Sequence, residues 1–213
     1  MNLSGDDMAA LANRYRANLI NSITGFKPAL LLGTASAAGL TNLAVFNNVF
    51  HIGASPPLLG MIVRPCPEGT ERHSLDNILE TGHYTLNHIN SGMLPAAHQT
   101  SARYPRAESE FEATGLAEVW QPGFPAPFVG EATIHMGLRL AEHQELALNK
   151  THMIIGSLEY LSCPEDCLRE DGTVNLTNAG SVATCGLDSY HRVNPGERYA
   201  YAKTALPPRR IDT

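Results

Sequence analysis

The stretch LLLGTASAAGLTNLAVFNNVFHIGASPPLLGMIVRP, residues 30–65, is followed after a short gap by RHSLDNI, residues 72–78. Three apolar runs rich in Leu, Val, Ile and Phe each give way to small, amide, hydroxyl or basic side chains: Thr34, Asn42, the pair Asn47 and Asn48, Ser55, then Arg64 and Ser74. Short apolar runs bounded by Gly, Pro, Ser and Asn read as strands. A hydrophobic core needs the apolar runs but not polar punctuation repeated after each of them. The clustering suits a large, flat ligand with a polar edge and an anionic tail.

On the N-terminal side, Ser4 or Asp6 is placed to cap a helix in which Met8, Leu11, Tyr15, Leu19 and Ile23 recur at spacings of three and four. Gly25 ends it, so residues 1–25 are expected as one N-terminal helix. Residues 28–34, 43–52 and 58–63 are three strands, with Ser55-Pro56-Pro57 forcing extended backbone before the last. The prolines and glycine of residues 64–71 make a loop. Ser74 reads as the N-cap of a short helix with Leu75, Ile78 and Leu79 on its apolar face and Gly82 as its stop. Residues 83–90 alternate as a strand, Tyr84, Leu86 and His88 facing one way and Thr85, Asn87 and Ile89 the other. A helix is expected over residues 94–102, irregular chain around Phe124 over 104–128, long strands over 129–141 and 151–161, and a loop-like end with a basic tail, 204–213. Many strands without regular crossover helices predict a mainly β, antiparallel barrel with flanking helices, not a doubly wound parallel sheet. With no internal repeat and no long linker, residues 1–213 are expected to form a single domain.

Composition narrows the function classes. The 213 residues are 43% apolar and 17% charged, as in a globular protein large enough to fold without disulfides or metal. A net charge of −6 gives no global attraction to nucleic acid or to an anionic membrane, so an anionic ligand must be held by local donors. The N-terminal residues lack a secretory apolar region, and no apolar run reaches the roughly 18 residues of a membrane helix. Cys66, Cys163, Cys167 and Cys185 are scattered and read as reduced thiols of a cytoplasmic protein. Cys163 and Cys167 are four apart with no second pair, which is not the spacing of a structural metal site, and no metal is expected. There is no G-x-G-x-x-G, G-x-S-x-G or H-E-x-x-H.

Thr34, Gly39, Asn42, Ala44 and Phe46 form the pattern T-x4-G-x2-N-x-A-x-F. It is followed by Pro56-Pro57 at the next strand, Arg72-His73-Ser74 before a helix carrying Asn77-Ile78, a strand from Tyr84 to Asn87, THMIIGSLE at 151–159 and GLDSYHR at 186–192. In this order the motifs resemble the flavin reductase-like family with an FMN-binding split barrel, over roughly residues 28–203. His73 stands where the family commonly has an acid, and Ser74 where threonine is common.

The resemblance implies an antiparallel Greek-key split β-barrel, commonly a homodimer, that binds FMN and takes NADH or NADPH as cosubstrate in the same cleft. It implies an NAD(P)H:flavin oxidoreductase passing hydride to flavin N5, with the reduced flavin serving free flavin, oxygen or a partner oxygenase. An FMN-dependent oxygenase of a small substrate, or a non-catalytic FMN-binding electron carrier, are the alternatives on the same scaffold. The candidate cofactor-binding residues are Thr34, Asn42, Ala44, Phe46, Asn47, Asn48, Arg64, Arg72, His73, Ser74 and Asn87. Amides suit the donor-and-acceptor edge of a flavin, and Phe and Val suit its apolar end. Asn47 and Asn48 read equally as turn residues. Ser74 at a helix start, with Arg64 and Arg72, suits a phosphate. His152 shares a strand face with Ile154, Gly156 and Leu158 and is the one catalytic candidate, against a plain structural role. Gly156 offers room for a planar ring, and the Pro-rich stretch around Phe124 is placed as a lid.

Overall fold

A computed structural model describes residues 1–66 and 71–211. Two helices, α1 (Gly5–Ala10) and α2 (Asn13–Ile23), precede β1 (Lys27–Pro28), β2 (Leu30–Ala35), β3 (Thr41–Phe46), β4 (Val49–Ala54) and β5 (Pro57–Val63). Helix α3 (His73–Thr81) leads into β6 (His83–His88); α4 (Leu94–Gln99), α5 (Glu110–Thr114) and the short strands β7 (Glu118–Val119) and β8 (Phe128–Val129) follow. The long strands β9 (His135–Glu145) and β10 (His152–Ser162) come next. The chain ends with β11 (Val182–Cys185), β12 (Ser189–Arg192), β13 (Arg198–Tyr199) and β14 (Arg210–Ile211).

The main sheet has seven strands in the order β3-β2-β6-β9-β10-β5-β4, and every pairing in it is antiparallel. Its two edges, β3 and β4, are consecutive in the chain and separated only by Asn47 and Asn48. Seven strands laid flat would put those edges about 29 Å apart, at roughly 4.8 Å per strand spacing. Two intervening residues reach at most about 11 Å. The sheet therefore curls until its edges meet at one corner, where they are joined by the covalent chain and not by ladder hydrogen bonds. One bond from the Ile62 amide to the Asn48 carbonyl, 3.0 Å, holds the corner to β5.

Curling gives the sheet an inside and an outside. The inside holds Leu30 and Leu32 of β2, Met61 and Val63 of β5, Tyr84 and Leu86 of β6, Leu138 of β9 and Ile154 of β10, and Leu75 and Ile78 of α3 pack into the same cluster. The outside holds Leu31, Leu43 and Ile89 under Met93, Ala97, Phe111 and Val129. All six residues of β2 are buried because both of its faces are covered. The alternation over residues 83–90 sorts as expected, Tyr84 and Leu86 inward, Ile89 outward.

Several expected boundaries shift, each for a local reason. The N-terminal helix is two helices: Ser4 does cap α1, in a reciprocal capping box with Asp7, but Leu11 is extended, and the Arg16 guanidinium donates to the Ala9 carbonyl exposed at the break. Neither helix buries a residue. The expected strand over 43–52 is β3 and β4, split at the asparagine corner. Ser74 is not the N-cap; Arg72 occupies that position and Ser74 lies inside the first turn, while Gly82 closes α3 in the left-handed region, φ 72°, as expected. Residues 104–128 contain α5, β7 and the start of β8, and the chain after 162 contains four short strands. The loop assigned to residues 64–71 lies partly outside the described residues, at 67–70, as do the last two residues of the tail.

Gly33 of β2 is where the chain of residues 126–129 approaches the sheet: a Cβ there would run into the Pro127 carbonyl oxygen and lie 2.6 Å from Thr85 Oγ1, which itself donates to that carbonyl at 2.6 Å. Both obstacles are buried and one is backbone, so Gly33→Ala is expected to destabilise the protein by about 1–3 kcal/mol, read as a lowered denaturation midpoint at unchanged m-value. His88 gives a pH signature. Burial, with a smaller repulsion from His135, lowers its imidazole pKa from 6.5 to about 4. Its Nδ1 lies 2.9 Å from the Ser181 hydroxyl. The folded state binds the proton less well than the unfolded chain, so the contribution is complete above pH 6.5 and is lost as pH falls toward 4, up to roughly 3 kcal/mol. Denaturant titrations across that range should show a steep acid decline in the wild type and a shallower one in His88→Asn.

Candidate functional site

At the corner where the sheet edges meet lies a cleft of about 770 Å³, within the usual size range of small-molecule sites. Asn42, Ala44 and Phe46 reach it from one face of β3, and Asn47 and Asn48 from the corner. Val63 and Arg64 come from the end of β5, and Arg72, His73 and Ser74 from the start of α3. The segment from Thr100 to Arg106 after α4, Glu110 of α5 and Leu187 at the β11–β12 turn complete the lining.

Hydrogen bonds fix these groups. Asn42 Nδ2 donates to Ser74 Oγ at 2.8 Å, tying the edge strand to the first turn of α3. Because that oxygen accepts from Asn42, the Ser74 hydroxyl hydrogen is free to donate into the cleft. The α3 amides of the same turn have no intrahelical acceptor. Asn47 Nδ2 donates to the Gly186 carbonyl at 3.0 Å, holding the β11–β12 turn, and with it Leu187, at the cleft mouth. Arg72 donates to the Pro65 carbonyl (3.3 Å) and Arg64 to Asn21 Oδ1 (3.0 Å), while His73 lies 3.3 Å from the Glu71 carboxylate. Arg106 donates to Asn77 Oδ1 at 3.1 Å and lies 3.7 Å from Asp76.

Glu110 is buried on the wall of β3 and accepts from the Leu43 amide at 2.8 Å. Burial pushes its carboxyl pKa up; the Leu43 amide, its own amide and the charge of His73 pull it down, and Glu108 adds a little to the rise. Thr41 reaches Ser109 and Glu118, both at 2.8 Å, and closes the outer side of the same wall.

Nine of the eleven binding candidates line this cleft: Asn42, Ala44, Phe46, Asn47, Asn48, Arg64, Arg72, His73 and Ser74. Thr34 and Asn87 do not. Thr34 is fully buried and accepts from Asn77 Nδ2 (3.1 Å), linking β2 to α3. Asn87, also fully buried, donates to the Leu31 carbonyl (3.1 Å) and to Thr85 (2.9 Å) and accepts from the Val129 amide (3.2 Å). Both polar side chains satisfy the sheet itself. His152 lies outside the cleft lining, opposite Val63 across β5 and β10, its Nδ1 2.9 Å from Nε2 of His143 with the two rings stacked. The room at Gly156 is taken by the Tyr84 hydroxyl, so the planar ring it admits is the protein's own. Phe124 packs on Phe128, Tyr160 and His83 rather than over the cleft. Among the described residues no three His, Cys, Asp or Glu side chains gather as a metal site.

Sequence reasoning missed the wall from Thr100 to Arg106 and the buried Glu110. The run Arg103-Tyr104-Pro105-Arg106 was a usable signal, two cations and an aromatic ring in four residues of an acidic chain.

A crystal structure of a flavin-reductase-like protein with a split barrel domain from Shewanella frigidimarina matches with a TM-score of 0.90 at 44% identity, covering 95% of this chain and 100% of that one. Nitrilotriacetate monooxygenase component B from Bacillus cereus shares the fold at 18% identity, TM-score 0.81, over 92% of this chain and 96% of that one. A relative from Halalkalibacterium halodurans is 31% identical over 136 residues, 64% of this chain and 64% of its own, so the match spans just under two thirds of that protein. Residues 25–181 match the model of the flavin reductase like domain, and the chain belongs to the flavin reductase-like family.

Proposed function

We propose that this protein is an FMN-binding oxidoreductase whose curled sheet is a Greek-key split barrel, with the cleft at its corner holding the flavin, and that it oxidises NADH or NADPH. The observation that carries the reading is the pairing of an amide-rich strand end with a helix start: Asn42, Asn47 and Asn48 lie along one side, and the Ser74 hydroxyl, the free amides of α3 and Arg72 converge beside them. The first set suits the polar edge of a flat heterocycle. The second suits a phosphate monoester, with the helix dipole adding to the guanidinium charge.

The donor set fits FMN, which when bound supplies the hydride-accepting chemistry. Ser74, the α3 amides, Arg64 and Arg72 anchor the phosphate. Asn42 positions Ser74, and Phe46, Ala44 and Val63 exclude water from the apolar side. Asn47 carries the ring edge and, through Gly186, the turn with Leu187. No protein acid or base is assigned, since hydride transfer requires none. His152 is left with a structural part in the β9–β10 hairpin.

The reduced protein delivers electrons to free flavin, oxygen or a partner oxygenase; the fold shared with a monooxygenase component supports a partner of that kind. We place the protein in the cytoplasm as a homodimer. The free state of its four cysteines is in keeping with that compartment, and no helix among the described residues is long and apolar enough to cross a membrane.

Purified protein should take up FMN in preference to riboflavin, and equal affinity for the two would remove the phosphate role. Ser74→Ala is expected to weaken FMN binding by about 1–2 kcal/mol, roughly ten-fold in Kd, in a fluorescence titration. A drop in thermal stability with unchanged FMN affinity would make Ser74 structural only. Anaerobic addition of NADPH or NADH should bleach the bound flavin. Reduction by dithionite alone would favour an electron carrier or an oxygenase fed by another reductase.

A further inference from the structure

Three guanidiniums in this cleft, those of Arg64, Arg72 and Arg103, have no carboxylate within salt-bridge distance among the described residues. In a chain of net charge −6, four arginines against Glu71 and Glu110 in one concavity suit anionic ligand charge. A flavin phosphate at the start of α3 accounts for part of this charge only. Arg64 follows β5 and Arg72 is the N-cap of α3, two residues before Ser74, whereas Arg103 stands on the separate segment that follows α4. A phosphate monoester brings about two negative charges and occupies one helix start, so the cation on the separate segment is left for a second anionic group.

That segment is built to display its side chains. At one end Thr100 is buried and its hydroxyl donates to the Ala97 carbonyl at 2.8 Å. The amides of Ser101 and Ala102 donate to His98 and Gln99, both at 3.0 Å. At the other end Arg106 is held by Asn77. Between these anchors Ser101 and Arg103 are exposed, and Tyr104, its hydroxyl fixed by Gln99 Nε2 at 3.0 Å, presents a half-buried ring to the cleft. A hydroxyl donor, a guanidinium and an aromatic face within four residues match a phosphorylated purine nucleoside: oxygen ligands for the first two, base stacking for the third.

We propose that the segment from Ser101 to Arg106 is the docking wall for the phosphorylated adenosine half of a reduced pyridine dinucleotide, with Arg103 on its phosphate and Tyr104 against its base. This rests on the flavin reading above, because the same cleft then holds the nicotinamide end over the flavin. The wall sets which donor is used efficiently and leaves the hydride step itself untouched.

Reduced nicotinamide mononucleotide, which lacks the adenosine half, separates the two roles. With FMN-loaded protein, Arg103→Ala should raise KM for the dinucleotide ten-fold or more, leaving kcat, KM for the mononucleotide and Kd for FMN unchanged. An effect on NADPH alone assigns Arg103 to the 2′-phosphate, and an equal effect on NADH and NADPH assigns it to the pyrophosphate; either supports the proposal. Unchanged KM for both dinucleotides, an equal rise for the mononucleotide, or weakened FMN binding in Arg103→Ala would overturn it, the last by giving the wall to the flavin. Wild-type protein that takes up no flavin overturns this inference and the flavin reading together. A yellow protein indifferent to Arg103 overturns this inference alone.

Discussion

The two residues between β3 and β4 set the shape on which everything else depends. A seven-stranded antiparallel sheet has no intrinsic reason to bring its first and last strands together; twist alone leaves it open. Here the edges are neighbours in sequence, and a link far shorter than the width of a flat sheet forces them to converge. The interior cluster of Leu, Met, Ile and Tyr side chains then fills the space the curl encloses. Because the edges are joined by chain and not by a ladder, the corner keeps amide side chains and backbone groups that a closed barrel would have consumed. An opening with unspent hydrogen-bonding capacity is what a polar, flat ligand requires.

Peripheral elements converge on the same corner. Asn21 of α2 meets Arg64, Ser22 of α2 meets Cys185, and Gly186 meets Asn47, so the N-terminal helix, the end of β5, the corner and the C-terminal hairpin are linked in sequence by single polar contacts. Helix α2 buries no residue of its own, so its placement relies on these contacts more than on packing. The second wall is fixed independently, through Arg106 and Asn77 to α3. Part of the lining is thus tied to the chain ends and part, through α3, to the main sheet.

How much of this could be read from residues alone depended on whether the signal was local. The alternation in residues 83–90 is local, and it sorted Tyr84 and Leu86 from Ile89 correctly. Asn42, Ala44 and Phe46 came from a family motif, and their period-two spacing on β3 is what brings all three to the cleft. The break at Asn47 and Asn48 was not recognisable: residues 43–52 keep their apolar character across it, and what sends β3 and β4 to opposite edges is the long-range pairing of their hairpin partners, β2 with β6 and β5 with β10. Thr34 and Asn87 fall outside the cleft lining for a related reason. A polar residue on a strand looks alike whether it meets a ligand or a buried backbone group, and only the fold shows Asn87 stapling β8 to the sheet. The wall from Thr100 to Arg106 joins the site purely by tertiary placement, so no spacing within the first 90 residues pointed to it.

The contact between Glu110 and the Leu43 amide has a meaning beyond the cleft. Strand β3 is an edge, and its outward amides are the kind of group that recruits a strand from another molecule. A carboxylate held inside the protein already occupies the Leu43 amide, and α5 and the bonds from Thr41 to Ser109 and Glu118 cover the flank. The same helix that walls the ligand cleft therefore keeps the sheet from extending sideways. Loosening α5 would expose a template for fibre-like association and at the same time disturb the cleft lining, so colloidal behaviour and the shape of the cleft are bound to the same five-residue element.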